Sequence, residues 1–198
     1  MQHITALLFD DFETLDLFGV VEVFGRLPEI YTCHFVSLTG GLITSSQNVQ
    51  IQTVAVADFH LPTDIFLIIG GKGTRQLVND SVFLQQVKDF ANQATFVLSV
   101  CTGSALLAKA GLLDDKSATS NKLAWQWVIA QSDKVNWIGK ARWVVDGKFY
   151  TSAGVSAGMD MAYGFLADQH GIELARQKAH EIEYHWQEDP NDDSFFTG

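Results

Sequence analysis

Three features of this 198-residue chain predict a doubly wound α/β fold, with helices covering both faces of a mostly parallel sheet in three layers. Short apolar runs of strand length alternate with helix-length amphipathic stretches along the chain. Several of those runs are apolar throughout, as strands are when both their faces are covered. Hydrophobic residues make up 47% and charged residues 18%, the composition of a packed globule and not of a disordered chain.

The elements follow in order. Residues 4–9, Ile4-Thr5-Ala6-Leu7-Leu8-Phe9, read as the first strand, and the 3.6-residue periodicity of 14–25 as the first helix. A strand is expected at 31–38, closed by a turn at Thr39-Gly40-Gly41, and another at the wholly apolar 65–69. The loop Gly70-Gly71-Lys72-Gly73 leads into a short helix at 74–77 and a longer one at 81–93. A strand at 95–100 runs directly into a helix at 104–110, and a further helix is expected at 123–130. Strands at 142–145 and 149–151 flank Asp146-Gly147-Lys148, where Asp-Gly signals a hairpin with a type I′ turn. Helices at 155–170 and 172–186 complete the pattern. No repeat, low-complexity tract or Pro/Gly/Ser linker interrupts it, so 1–198 reads as one domain.

Bulk properties narrow the function. The chain is long enough to bury a sizeable core without metal or disulfide support. No apolar run is long enough to span a bilayer, and Met1-Gln2-His3-Ile4 enters a strand without a signal-like segment. Two cysteines make no disulfide framework, which points to a reducing cytoplasm. A net charge of −10 argues against nucleic acid or an anionic membrane as partner. The acidic stretch Glu188-Asp189-Pro190-Asn191-Asp192-Asp193 reads as a solvated terminus. His180 and His185 are spaced i, i+5, on different helix faces, and the other histidines form no motif, so no metal site is expected. Cys33 reads as a small buried strand residue, and the five tryptophans as packing or dimer burial.

In an open α/β sheet, ligands bind outside the carboxyl ends of the strands. Three such ends carry chemistry here. Cys101 sits where the strand at 95–100 turns into a helix, beside unpaired backbone N–H groups and the positive end of a helix dipole. That setting should ease loss of the thiol proton, and the Thr102 N–H could serve a developing oxyanion in a nucleophile elbow. A buried core cysteine is the competing reading. Asp16 lies in the first turn of the first helix among Leu15, Leu17 and Phe18, where desolvation would raise its pKa and suit it to acid/base work. A carboxylate placed there simply to complement the helix dipole is the alternative. Gly70 and Gly71 allow close approach of a ligand, and a free Gly71 N–H could complete an oxyanion hole with Thr102.

With those residues in view, the chain resembles the ThiJ/PfpI superfamily, which shares the flavodoxin-like fold of class I glutamine amidotransferases. The resemblance rests on ordered blocks: Leu15-Asp16-Leu17-Phe18-Gly19, Ile68-Ile69-Gly70-Gly71-Lys72-Gly73, Ser99-Val100-Cys101-Thr102-Gly103-Ser104, Ala118-Thr119-Ser120-Asn121-Lys122, and Thr151 through Asp160. The Cys-Thr-Gly elbow and the Leu-Asp-Leu-x-Gly block are most similar to the isonitrile hydratase branch. That resemblance implies hydration of a small, neutral isonitrile to an N-substituted formamide without metal or organic cofactor. It implies Cys101 as nucleophile and Asp16 as acid/base, with Thr102 and Gly71 supporting the reacting centre. Gly70, Asn121, Gly154 and Val155 would line the substrate site, and a homodimer is expected.

Thr102 stands where the protease and glyoxalase-like branches tend to place histidine, so peptidase activity is not expected. A further branch fuses this domain to a DNA-binding helix-turn-helix pair and carries almost the same elbow. The acidic chain ends at Gly198, so direct DNA binding is not expected, whereas a redox or small-molecule sensor using Cys101, or an amidase or glyoxalase-like enzyme, stays open.

Overall fold

A computed structural model describes residues 1–197. Its frame is an eight-stranded sheet whose central strands are the apolar runs of the sequence. Strand β1 (Gln2–Leu7) pairs in parallel with β2 (Tyr31–Ser37) on one side and β5 (Ile65–Ile68) on the other. β6 (Phe96–Ser99) and β10 (Phe149–Ser152) continue the parallel array. Two antiparallel edges finish the sheet: β9 (Trp143–Asp146) against β10, and β3 (Gly41–Thr44) against β4 (Gln50–Ala55), which itself pairs in parallel with β2. The order is β3-β4-β2-β1-β5-β6-β10-β9.

Helices α1 (Thr14–Gly25), α6 (Ala157–His170) and α7 (Ile172–Glu181) pack together on one side. The other layer holds α2 (Thr74–Leu77), α3 (Ser81–Gln93), α4 (Gly103–Lys109) and α5 (Trp125–Ile129). α3 shows how sequence becomes packing. The Asp80 carboxylate accepts from the Val82 and Phe83 N–H groups and caps the helix, while Phe83, Val87, Phe90 and Ala91 form its buried stripe. Burying a side chain the size of Phe83 contributes about 2 kcal/mol.

Several expectations need correction. The edge strands β3 and β4 were not anticipated beyond the turn at Thr39-Gly40-Gly41, because they are short, mixed in sequence and half-exposed. The two-residue strands β7 (Ser117–Ala118) and β8 (Asn136–Trp137) were missed because nothing so short has a period. In the 146–149 hairpin, Asp146 pairs with Phe149, which leaves Gly147 and Lys148 at the centre. Only Gly147 has positive φ (60°), the type II′ pattern and not type I′. Cys33 is half-buried in β2, less enclosed than expected.

α7 ends at Glu181, not at 186, because Glu183 turns left-handed (φ 55°) and Tyr184 N–H returns to Ala179 O. The turn lays Tyr184 and Trp186 against Tyr163. The acidic tail stays exposed at Glu188, Asp189, Asn191 and Asp192, as expected of a solvated terminus, but it is pinned to the body at two points. Pro190 O accepts the Arg142 N–H at 2.7 Å, and Asp193 is buried beside Lys122, 3.6 Å away. Among the described residues, no helix is long and apolar enough to cross a membrane.

Candidate active site

The C-terminal ends of β1, β5, β6 and β10 meet above the sheet, and each sends a loop into one cavity of about 290 Å³. Its walls include Gly71, Arg75, Cys101, Thr102, Asn121, Leu123 and Val155. Cys101 leaves β6 on a strained turn with φ 57°, a conformation that a non-glycine residue adopts at some cost. The surroundings hold it there. Its N–H donates to Ala153 O (3.1 Å), and its carbonyl accepts from the Ser120 and Ser104 hydroxyls (2.7 and 3.2 Å).

Glycines let the loops converge. A Cβ on Gly70 would stand 2.6 Å from Thr102 N and 2.8 Å from Cys101 Cβ, so no larger residue leaves room for the elbow. Gly103, just after it, would meet Ile68 O at 2.5 Å. Opposite the elbow, the β-branched Val155 is also left-handed (φ 48°), which delays the start of α6 to Ala157 instead of 155.

Asp16 lies behind Cys101 in the first turn of α1 and is fully buried. One carboxyl oxygen, Oδ2, accepts the Gly70 N–H at 2.9 Å. The other, Oδ1, meets no hydrogen-bond donor of ordinary geometry, although the Cys101 thiol and the Val155 N–H approach the carboxyl. Burial pushes the Asp16 pKa up to about 7; the Gly70 N–H opposes the rise and the nearby Glu13 charge adds to it. The Cys101 thiol is also held well above its usual range, first by burial and next by the Asp16 charge. The Thr102 and Val155 N–H groups pull it down without matching those effects. The expectation of a thiol acidified by a helix terminus is therefore overturned. α4 has only seven residues, and desolvation outweighs so short a dipole. What the site offers is a neutral thiol beside a carboxyl that titrates near neutrality.

The other anticipated residues divide. Thr102 sits on the elbow, but the Gly71 N–H is not free for an oxyanion: it donates to Thr102 Oγ1 at 3.1 Å. Thr74 braces the same hydroxyl at 3.0 Å. Gly70 donates its N–H to Asp16 Oδ2 and so positions the acid. Asn121 lines the cavity, yet its Oδ1 accepts the Ala124 N–H (2.9 Å) and its Nδ2 packs onto the bare Cα of Gly154. Gly154 lines a neighbouring cavity of about 250 Å³ together with Val155, Asn121 and Asp193.

Sequence reasoning placed Glu13 on the loop after the first strand without giving it a role, and missed Arg75 and the part of Ser120. Arg75 lies in α2, directly after the glycine loop that carries Lys72, and two cations so close to a strand's carboxyl end could have flagged it. Its guanidinium lies 3.6 Å from the centroid of the Trp127 ring, near enough to Cys101 for a thiolate there to favour its charge. No histidine lines the cavity, and no group of three His, Cys, Asp or Glu among the described residues is placed to hold a metal ion.

Comparison with known proteins matches residues 2–168 to the model of the DJ-1/PfpI family. An isonitrile hydratase from Pseudomonas putida is 33% identical over 92% of this chain and 78% of its own length. The HTH-type transcriptional regulator GbdR of Pseudomonas aeruginosa is 31% identical over 88% of this chain, which spans only 48% of the regulator. Among solved structures, a ThiJ/PfpI family protein from Pseudomonas syringae superposes with a TM-score of 0.80 at 26% identity, covering 92% of this chain and 75% of that one.

Proposed function

The chain belongs to the DJ-1/PfpI family, and from that premise we propose that it is a Cys101-dependent enzyme that adds water to an isonitrile to give an N-substituted formamide. The observation that carries this reading is the pairing of a buried thiol with a carboxyl whose pKa lies near 7. The Asp16 carboxylate takes the thiol proton as sulfur bonds to the terminal isonitrile carbon, and then returns the proton to that carbon, leaving a thioimidate. Water adds to the thioimidate carbon, with Asp16 accepting one of its protons and the nitrogen gaining one. Collapse of the adduct expels the Cys101 sulfur, which recovers its proton from Asp16, and releases the formamide. Substrate and water account for every atom of the product.

The Ala153 carbonyl and the Ser104 and Ser120 hydroxyls keep the strained elbow in place through the cycle. With the Gly71 N–H engaged by Thr102, the Thr102 and Val155 N–H groups remain to meet negative charge at the reacting centre.

Formation of formamide from a panel of alkyl and aryl isonitriles tests the proposal. The wild type should turn over, Cys101→Ala should fall to background, and Asp16→Asn should lose about 10²- to 10⁴-fold in kcat/KM, the usual worth of a general acid/base. Because Asp16 must start ionised, wild-type kcat/KM should rise with pH through about 7. Equal background from wild type and Cys101→Ala would end the proposal. The 31% identity to a transcriptional regulator favours one second reading, a ligand-binding domain without turnover. Saturable binding of a small molecule at this cavity, without product, would select it.

A further inference from the structure

We propose that the Cys101 cavity takes a small molecule bearing a carboxylate, and that Arg75 is the residue that selects it. Of the four arginines in the sequence, three have carboxylate partners: Arg26 with Glu22, Arg142 with Asp160, and Arg176 with Glu173 and Glu188. Arg75 has none among the described residues. Its side chain is exposed at the mouth of the cavity, where a ligand can reach it.

The guanidinium is also held in place. Stacking on Trp127 fixes its plane, and Nη1 donates to Thr74 Oγ1 at 3.1 Å, which leaves the rest of its fork unengaged. Thr74 in turn braces Thr102, the neighbour of Cys101, so the cation is tied to the elbow through two hydroxyls. Arg75 stands where the cavity above Cys101 meets a second one of about 400 Å³, and Leu123 and Ala124 line both. Lys72, with no carboxylate partner among the described residues either, adds positive charge to the first cavity. The single acid in that lining, Glu13, accepts a hydrogen bond from Gln47 Nε2 at 3.0 Å.

A ligand with its electrophilic carbon at Cys101, a short apolar body along Leu123 and Ala124, and a carboxylate at Arg75 satisfies this arrangement. A planar carboxylate is the group an arginine fork matches, and a stacked, pre-placed guanidinium loses little freedom on binding it. The inference rests on the reading of the Cys101 cavity as the substrate site and narrows that substrate to an isonitrile carrying a carboxylate. It replaces the small, neutral substrate that the resemblance implied.

The test uses two near-isosteric thiol reagents, anionic iodoacetate and neutral iodoacetamide, with peptide mass spectrometry to separate Cys101 from Cys33. In the wild type, the iodoacetate-to-iodoacetamide rate ratio at Cys101 should exceed that of free cysteine. In Arg75→Gln it should drop about tenfold, the effect of one charge-assisted contact, with Arg75→Lys between the two. Without any substitution, butyrate should slow iodoacetamide labelling of Cys101 and butyramide should not. An unchanged ratio in Arg75→Gln, equal effects of butyrate and butyramide, or failure of Cys101 to label with either reagent would each overturn the inference. These readouts are independent of turnover: a lack of formamide from every isonitrile would remove the hydratase reading and leave the anion preference standing.

Discussion

Asp16 on α1 and Asp160 on α6 are both buried carboxylates on helices that pack against each other, yet their surroundings treat them in opposite ways. Asp160 accepts from Arg142 Nε at 2.8 Å, the Tyr184 hydroxyl at 2.9 Å and the Gln187 N–H at 3.1 Å, and Arg142 Nη2 lies 2.7 Å away. Its charge is matched and its lone pairs are used. Among the described residues, Asp16 has one hydrogen bond of ordinary geometry, from Gly70, no cation, and an oxygen left over. A satisfied buried acid holds a structure together; an unsatisfied one has its proton equilibrium displaced, and that displacement makes chemistry near neutrality available. Asp160 does the first job. It joins α6 to the returning tail and, through Arg142 and the Ser156 hydroxyl (3.1 Å), to the turn that carries Val155 over Cys101.

This contrast can be broken by substitution. The largest effect is expected from Asp160→Ala, which leaves Arg142 buried without its counter-charge and should cost about 3–5 kcal/mol in a urea unfolding curve. A loss under about 1 kcal/mol would mean that the network does not bear on stability.

Asp16→Asn should move stability the other way. The folded pKa of Asp16, about 7, lies above its ordinary value of 3.8, so between those values the folded state keeps a proton that the unfolded chain releases. Stability of the wild type therefore falls as pH rises from about 4 to about 7 and levels off above it. Relative to the wild type, Asp16→Asn should gain about 1–3 kcal/mol at pH 8 and much less at pH 4. A gain that is independent of pH would contradict the displaced proton. The smallest effect should come from Tyr184→Phe, which removes one of the hydrogen bonds to Asp160. About 1 kcal/mol is expected, with the other ligands of Asp160 keeping the tail in place. Tail proteolysis alongside unfolding checks both points.

Much of this was legible beforehand, for identifiable reasons. The central strands β5 and β6 stand out because strands covered on both faces are apolar nearly throughout, while β1 and β2 are legible from their β-branched and aromatic residues despite polar positions. The elbow at Cys101 is visible because a strand pattern passes into a helix pattern across a single small-residue turn. The edge pair β3 and β4 was not legible, since half-exposed strands carry mixed sequence. Nor was the return of the tail, because Glu188 through Asp193 looks like any charged terminus until Arg142 and Lys122 are seen to meet Pro190 and Asp193. Gly71 illustrates the limit at the site itself. Its glycine character was evident, and its φ of 133° with Asp11 O crowding a would-be Cβ requires it, but that its N–H is taken by Thr102 depends on the elbow 31 residues away.

The sequence alone determined the order of the helices and of the central parallel strands, the seat of Cys101 at a strand's carboxyl end, and the nearby acid and glycines, because these follow from periodicity and local backbone needs. Only the tertiary structure decided where the proton between Asp16 and Cys101 resides, and that Arg75 reaches the same cavity. Desolvation and charge act through space, summed over groups that α1, the Gly70 loop, the elbow and the Val155 turn bring together, and no local pattern encodes that sum.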